Sequence, residues 1–272
     1  MPARSRQEQI AYALQLVDDC IGLARNCRKG KPCGRTCISQ SKKCRIGGIA
    51  SHANDQQLVQ AFSGAGQVTR SGVAVSPQLF GHQATDADLS GLAGSPTHGH
   101  ITARGTSPPP RLSLTVSSPQ VRRQERTVYR DRTDGKLVMH NDYFRVEDQA
   151  PDGYGTHSFA NQVKTAQRFG VDRIETTAAG NFRDMQSGSW NGYYTWPRLG
   201  YDAPLYSGEI ASLPSNLRNA RSVQDLMGNQ EGRDWWKLNG STRDMKFDLS
   251  PNSKSIKVLN NYLEEKGFST RV

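Results

Sequence analysis

The chain has 272 residues, 35 Lys and Arg against 25 Asp and Glu for a net charge of +10, and a mean hydropathy of −0.68. A hydrophobic share of 35% is low for a chain that is folded throughout. No run approaches the ~20 apolar residues of a membrane-spanning helix. Asp18 and Asp19 interrupt the apolar pattern at the start of the chain, which excludes a signal peptide, so a cytoplasmic protein is expected, or alternatively a virion component. The composition predicts one folded α/β domain of roughly 150 residues preceded by a tail.

Residues 6–25 read as an amphipathic helix, because Ile10, Leu14, Val17 and Ile21 recur at helical spacing. A lone helix of this length is marginal in water, so its apolar face calls for a partner, whether the rest of the chain, a second copy or another protein. Residues 22–45 then hold eight basic residues and no acid, a block suited to nucleic acid or another polyanion. Within it Cys27, Cys33, Cys37 and Cys44 fall in eighteen residues. Four thiolates could close a tetrahedral zinc site, two disulfides are the alternative in an oxidising compartment, and reduced cysteines in a basic loop are the third reading. This cysteine segment resembles short Cys-rich elements of bacterial and phage accessory proteins. Residues 1–46 form the first region; 47–110, rich in Gly, Ser, Ala and Pro and containing His98-Gly99-His100, read as a flexible linker.

From residue 111 to 272 the pattern is that of a folded domain. Leu112, Leu114 and Val116 alternate with polar residues as in a strand, and Thr127 to Arg130 and Leu137 to Glu147 follow as strands around a turn at Thr133-Asp134-Gly135. A glycine loop with Gly153 and Gly155 leads into a helix whose buried face is Phe159, Val163, Ala166 and Phe169, closed by Gly170. Residues 171–178 read as another strand. Such a loop points backbone N–H groups outward at a helix N-terminus, where a phosphate can sit. Further on, Ser222 with Asp225 suggests a capping box, and Ile256, Leu259 and Leu263 the buried face of a last helix starting at Ser250-Pro251.

The order strand HNDYFRVE, loop DGYG, helix THSFANQVKTAQRFG, strand DRIETTAAGN and then NGYYTWPRLGYD resembles the cofactor half of the GNAT (N-acetyltransferase) superfamily. The resemblance implies a mixed sheet with flanking helices and an acyl-coenzyme A dependent N-acyltransferase acting on an unidentified acceptor amine. It places acetyl-coenzyme A on Gly153, Tyr154, Gly155, Thr156 and Asn181, and makes Tyr194, or else Tyr193, the proton donor to the leaving thiolate. Glu147 is the expected base, with His140, Asp142 and Glu175 as the other candidates. Strand alternation puts His140 and Asp142 on one face and Glu147 on the other. The chain departs from the pattern in carrying Ala150 at the first turn position, in Pro197, and in lacking an evident pair of early helices. Two other functions fit the same sequence: a non-catalytic assembly protein such as a phage virion component, and a nucleic-acid binder that uses the positive charge and the Tyr/Trp cluster.

Overall fold

The computed structural model describes residues 52–272, together with the backbone of two short strands, β1 (Lys31–Cys33) and β2 (Thr36–Ile38), which pair antiparallel. The expected helix over 6–25 lies outside the described residues, as do Cys27 and Cys44. Cys33 ends β1 and Cys37 sits on β2 opposite Pro32. The chain divides into a unit spanning 1–49 and one spanning 50–272.

The second unit is α+β, built on a seven-stranded mixed sheet. Its elements are α1 (His52–Ala61), β3 (Gln67–Gly72), α2 (Ser76–Phe80), α3 (Asp86–Ala93), β4 (His100–Thr106), β5 (Arg111–Ser118), β6 (Val121–Arg130), β7 (Leu137–Val146), α4 (Tyr154–Arg168), β8 (Arg173–Ala178), α5 (Phe182–Ser187), α6 (Gly192–Arg198), α7 (Ser207–Ser212), α8 (Val223–Met227), α9 (Gln230–Asn239), β9 (Arg243–Asp248) and α10 (Lys254–Glu265). The strands lie in sequence order from β3 to β9. Only β3–β4 and β7–β8 run parallel; the other neighbours are antiparallel.

Residues 47–110, expected as linker, are therefore folded from His52 onward. They supply two strands and three helices, and β3 forms an edge of the sheet. Their apolar residues are few but placed where they count: Leu58, Leu79, Leu89, Leu92 and Ile101 are all buried. Small residues serve the packing here. A Cβ on Gly91 of α3 would come within 2.2 Å of Thr165 Oγ1 on α4, so glycine sets the close approach of the two helices. Two short helices, α2 and α3, lie between β3 and β4.

β4, β5 and β9 alternate strictly between one buried face and one polar face, as period-2 strands packed on one side must. The buried face carries α4, whose Phe159 meets Phe247 of β9 and Tyr201. The opposite face presents one cross-strand row, Arg104–Ser113–Thr127–His140–Glu175–Lys246, set by the register of five successive strand pairs. The capping box at Ser222 and Asp225 forms. The last helix starts at Lys254, capped by Ser253, three residues after the Pro251 expected to open it.

Candidate active site

β7 and β8 pair through three positions only, Val138 with Arg173, Met139 with Ile174 and His140 with Glu175. β7 then continues six residues to Val146 and β8 three to Ala178 without further pairing. The parting is bridged once at its base, where Thr176 Oγ1 donates to the Asn141 carbonyl at 3.0 Å. Beyond that, Trp190 packs edge-on against Tyr143 at 5.4 Å and Trp196 lies 6.3 Å from Phe144.

A β-bulge accompanies the parting. Glu125 faces Tyr143 and Arg126 faces Asn141, which leaves Asp142 as the extra residue of β7. Asn141 and Phe144 thereby both reach the helical side. Asn141 is buried and donates to Tyr201 Oη at 2.8 Å and to Gln162 Oε1 at 3.2 Å. Arg126 fills the bulge: its Nη1 donates to the carbonyls of Glu125 and Tyr143, and its guanidinium lies over the Phe144 ring at 5.0 Å. Burial lowers its pKa to about 10.

At the apex of the parting, on the polar face, His140 Nδ1 lies 2.9 Å from Asp142 Oδ1, while Asp142 Oδ2 accepts from Thr127 Oγ1 at 2.8 Å. Burial works against ionisation of Asp142, but the hydrogen bonds from His140 and Thr127 prevail and hold its carboxyl below the ordinary value. An ionised Asp142 only accepts, so Nδ1 carries the hydrogen and Nε2 of the neutral ring is left with a lone pair. The neighbouring Glu175 is held by Arg173 Nε at 2.7 Å and by Tyr129 Oη at 3.4 Å.

The expected residues separate into three groups. His140, Asp142 and Glu175 come together, whereas Glu147 is drawn to Arg122, 3.4 Å away at the far end of β7. Gly153, at φ +88°, is the N-cap of α4, but a Cβ there would stand 2.3 Å from Phe268 Cζ and 3.3 Å from Leu58 Cδ1. That side of the turn is sealed by the protein's own side chains, and Tyr154 is buried with it. Gly155 and Thr156 remain half-exposed, with Phe144 beside Gly155. Asn181 caps α5, its Oδ1 accepting from the amides of Arg183 and Asp184. Tyr193 is fully buried, donates to the Lys237 carbonyl at 2.7 Å, and burial raises its pKa to about 12. Tyr194 is half-buried, and burial raises its pKa as well. Thr127, which completes the relay behind His140, was not among the expected residues; only the register across β6 and β7 reveals it.

Among the described residues no three His, Cys, Asp or Glu side chains converge as a metal site, and no helix is long and apolar enough to cross a membrane. A separate groove of 880 Å³ runs beside β9, lined by Arg173, Asp202, Arg221, Lys246 and Lys254 among others. The fold is thus that of an α+β protein with one polar sheet face and a parallel strand pair that opens beside a histidine–aspartate dyad. No protein-family model matches the chain, and no curated protein matches it.

Proposed function

We propose that the second unit is an acyl-coenzyme A dependent N-acyltransferase. The observation that carries this reading is the parting of the parallel strands β7 and β8 at His140 and Glu175, beside the half-open first turn of α4. A coenzyme seat at Gly155 and Thr156 is supported by their half-exposed place at the positive end of the α4 dipole, while the filled space at Gly153 takes no part. When bound, the coenzyme supplies an activated thioester. His140 Nε2 takes the proton from the acceptor amine, with Asp142 and Thr127 fixing the ring. Tyr194, a protonated phenol at neutral pH whose pKa burial raises further, is the proton donor to the departing thiolate. Tyr193 and Glu147 have no role in this scheme, because the hydroxyl of one and the carboxylate of the other are engaged elsewhere.

Calorimetric titration of the full chain with acetyl-coenzyme A tests the proposal. Saturable binding is expected, lost in Gly155→Trp and retained in His140→Gln, with acyl transfer lost in both. No binding by the folded protein would overturn it. The sealed Gly153 is the observation that favours a second reading, a non-catalytic assembly protein, and such a protein would purify as a defined oligomer or with a particle and tolerate Gly155→Trp.

A further inference from the structure

Three helices contribute a ladder in which cations and tyrosine rings alternate. Lys237 Nζ of α9 lies 6.0 Å from the Tyr194 ring; the Arg198 guanidinium of α6 lies 5.7 Å from Tyr194 and 5.1 Å from Tyr262; Lys266 Nζ, just beyond α10, lies 5.9 Å from Tyr262. Because Arg198 and Lys266 share one ring, their charges stand no more than about 11 Å apart. All five side chains belong to half-buried residues. Among the described residues, none of the three cations has a carboxylate within salt-bridge distance. Burial first and the charge of Arg198 second push the Lys266 ammonium down, with Glu265 opposing them only in part.

Ring faces attract cations, but they do not neutralise them. Three partly desolvated charges of one sign, spaced along an edge to which three helices contribute, form a surface that an anion would complete. We propose that Lys237, Arg198 and Lys266 form a seat for a diphosphate group, with Tyr194 and Tyr262 as the aromatic walls, and that its ligand is a nucleoside diphosphate. Arg198 can grip phosphate oxygens in a fork, and lysines on either side match a ligand whose charge is spread over linked phosphates. The seat shares Tyr194 with the acyltransferase reading but needs neither the parted strands nor a thioester, so pyrophosphate binding can stand where acyl transfer fails.

The test is calorimetric titration of the full chain with pyrophosphate and with ADP at low and moderate salt, comparing wild type with Lys266→Gln and Arg198→Gln. Saturable binding of both probes is expected, weakened about tenfold or more in each variant and weakened further by salt. Thermal unfolding of Lys266→Gln gives a second readout. A seat for an anion leaves its melting temperature unchanged or raised, because a like-charge contact has been relieved. A merely structural ladder predicts a lower melting temperature and no change in pyrophosphate binding, and that result would overturn the proposal. So would wild-type protein that binds neither probe, or binding only to an oligonucleotide and not to pyrophosphate.

Discussion

His157 of α4 and Asp55 of α1 stand 3.3 Å apart, with both side chains almost wholly sealed from solvent. Asp55 also accepts the Ser269 amide at 3.1 Å, so one carboxylate ties the first described helix, the central helix and the closing segment together. Phe62 and Phe268 complete the enclosure, stacking on His157 and meeting it edge-on.

This enclosure predicts acid sensitivity. Burial outweighs the pull of Asp55 and lowers the His157 pKa in the folded state. The unfolded chain takes up that proton near pH 6.5, the folded one only at lower pH, so stability conferred by the neutral ring is full above 6.5 and falls as pH drops below it. Urea unfolding at a series of pH values should show this loss between pH 6.5 and 5. The slope should be shallower in His157→Gln, a variant already less stable than wild type at pH 7.5.

The buried amide network offers a second test. Tyr201→Phe removes one hydrogen-bond partner of Asn141 and should cost about 1 kcal/mol. Asn141→Leu strands the Gln162 amide, whose Oε1 and Nε2 both meet Asn141, and should cost at least about 2 kcal/mol. Chemical denaturation distinguishes the two; equal costs would mean that Gln162 finds other partners.

Arg173 on the polar face reaches Asp131, Asp134 and Glu175 at once. Its replacement by Met leaves three carboxylates facing one another, so the variant should be destabilised at pH 7. Hydrogen bonds and the Arg173 charge hold the Asp131 carboxyl below its ordinary value despite burial, Thr133 contributing most. That contribution is present in full above the unfolded value near 4 and is lost below it, as pH falls through the lower folded-state value. Arg173→Met should therefore lose less stability than wild type between pH 5 and 3, which thermal melts across that range would register.

Gly153 and Phe268 make a coupled pair. Gly153→Ala combines a left-handed backbone, costing about 1 kcal/mol or more, with a Cβ pressed on Phe268. Phe268→Ala opens a cavity instead and should cost about 3 kcal/mol or more. The double variant should be more stable than the sum of the two, since the cavity receives the new methyl. Additive losses would show that the contact is not what confines this glycine.

Alternation and helical spacing make β5, α4 and β8 legible in the sequence, because their apolar residues are numerous and regular. α3 is not legible in the same way. Its sequence, DADLSGLA, buries Leu89 and Leu92, but its Ser and Gly read as linker until the close approach to α4 gives them a purpose. Alternation also puts His140 and Asp142 on one face; it cannot supply Thr127, which is brought in by pairing with another strand. Nor does a glycine loop reveal which side of it will be filled. Phe268 lies more than a hundred residues beyond Gly153, and only the closed fold sets one against the other.

The meeting of α1 with the closing segment has a consequence for the order in which this fold is threaded. Leu58 and Phe268 converge on Gly153, and Asp55 holds Ser269, so the two ends of the second unit lie side by side. Gly81, exposed between α2 and α3, has nothing around it that a side chain would meet. A circular permutant that joins residue 272 to residue 52 through a short flexible linker and opens at Gly81 keeps every contact described for the sheet, the dyad and the cationic ladder. For this unit, the point at which the backbone is opened is a matter of convenience rather than of architecture.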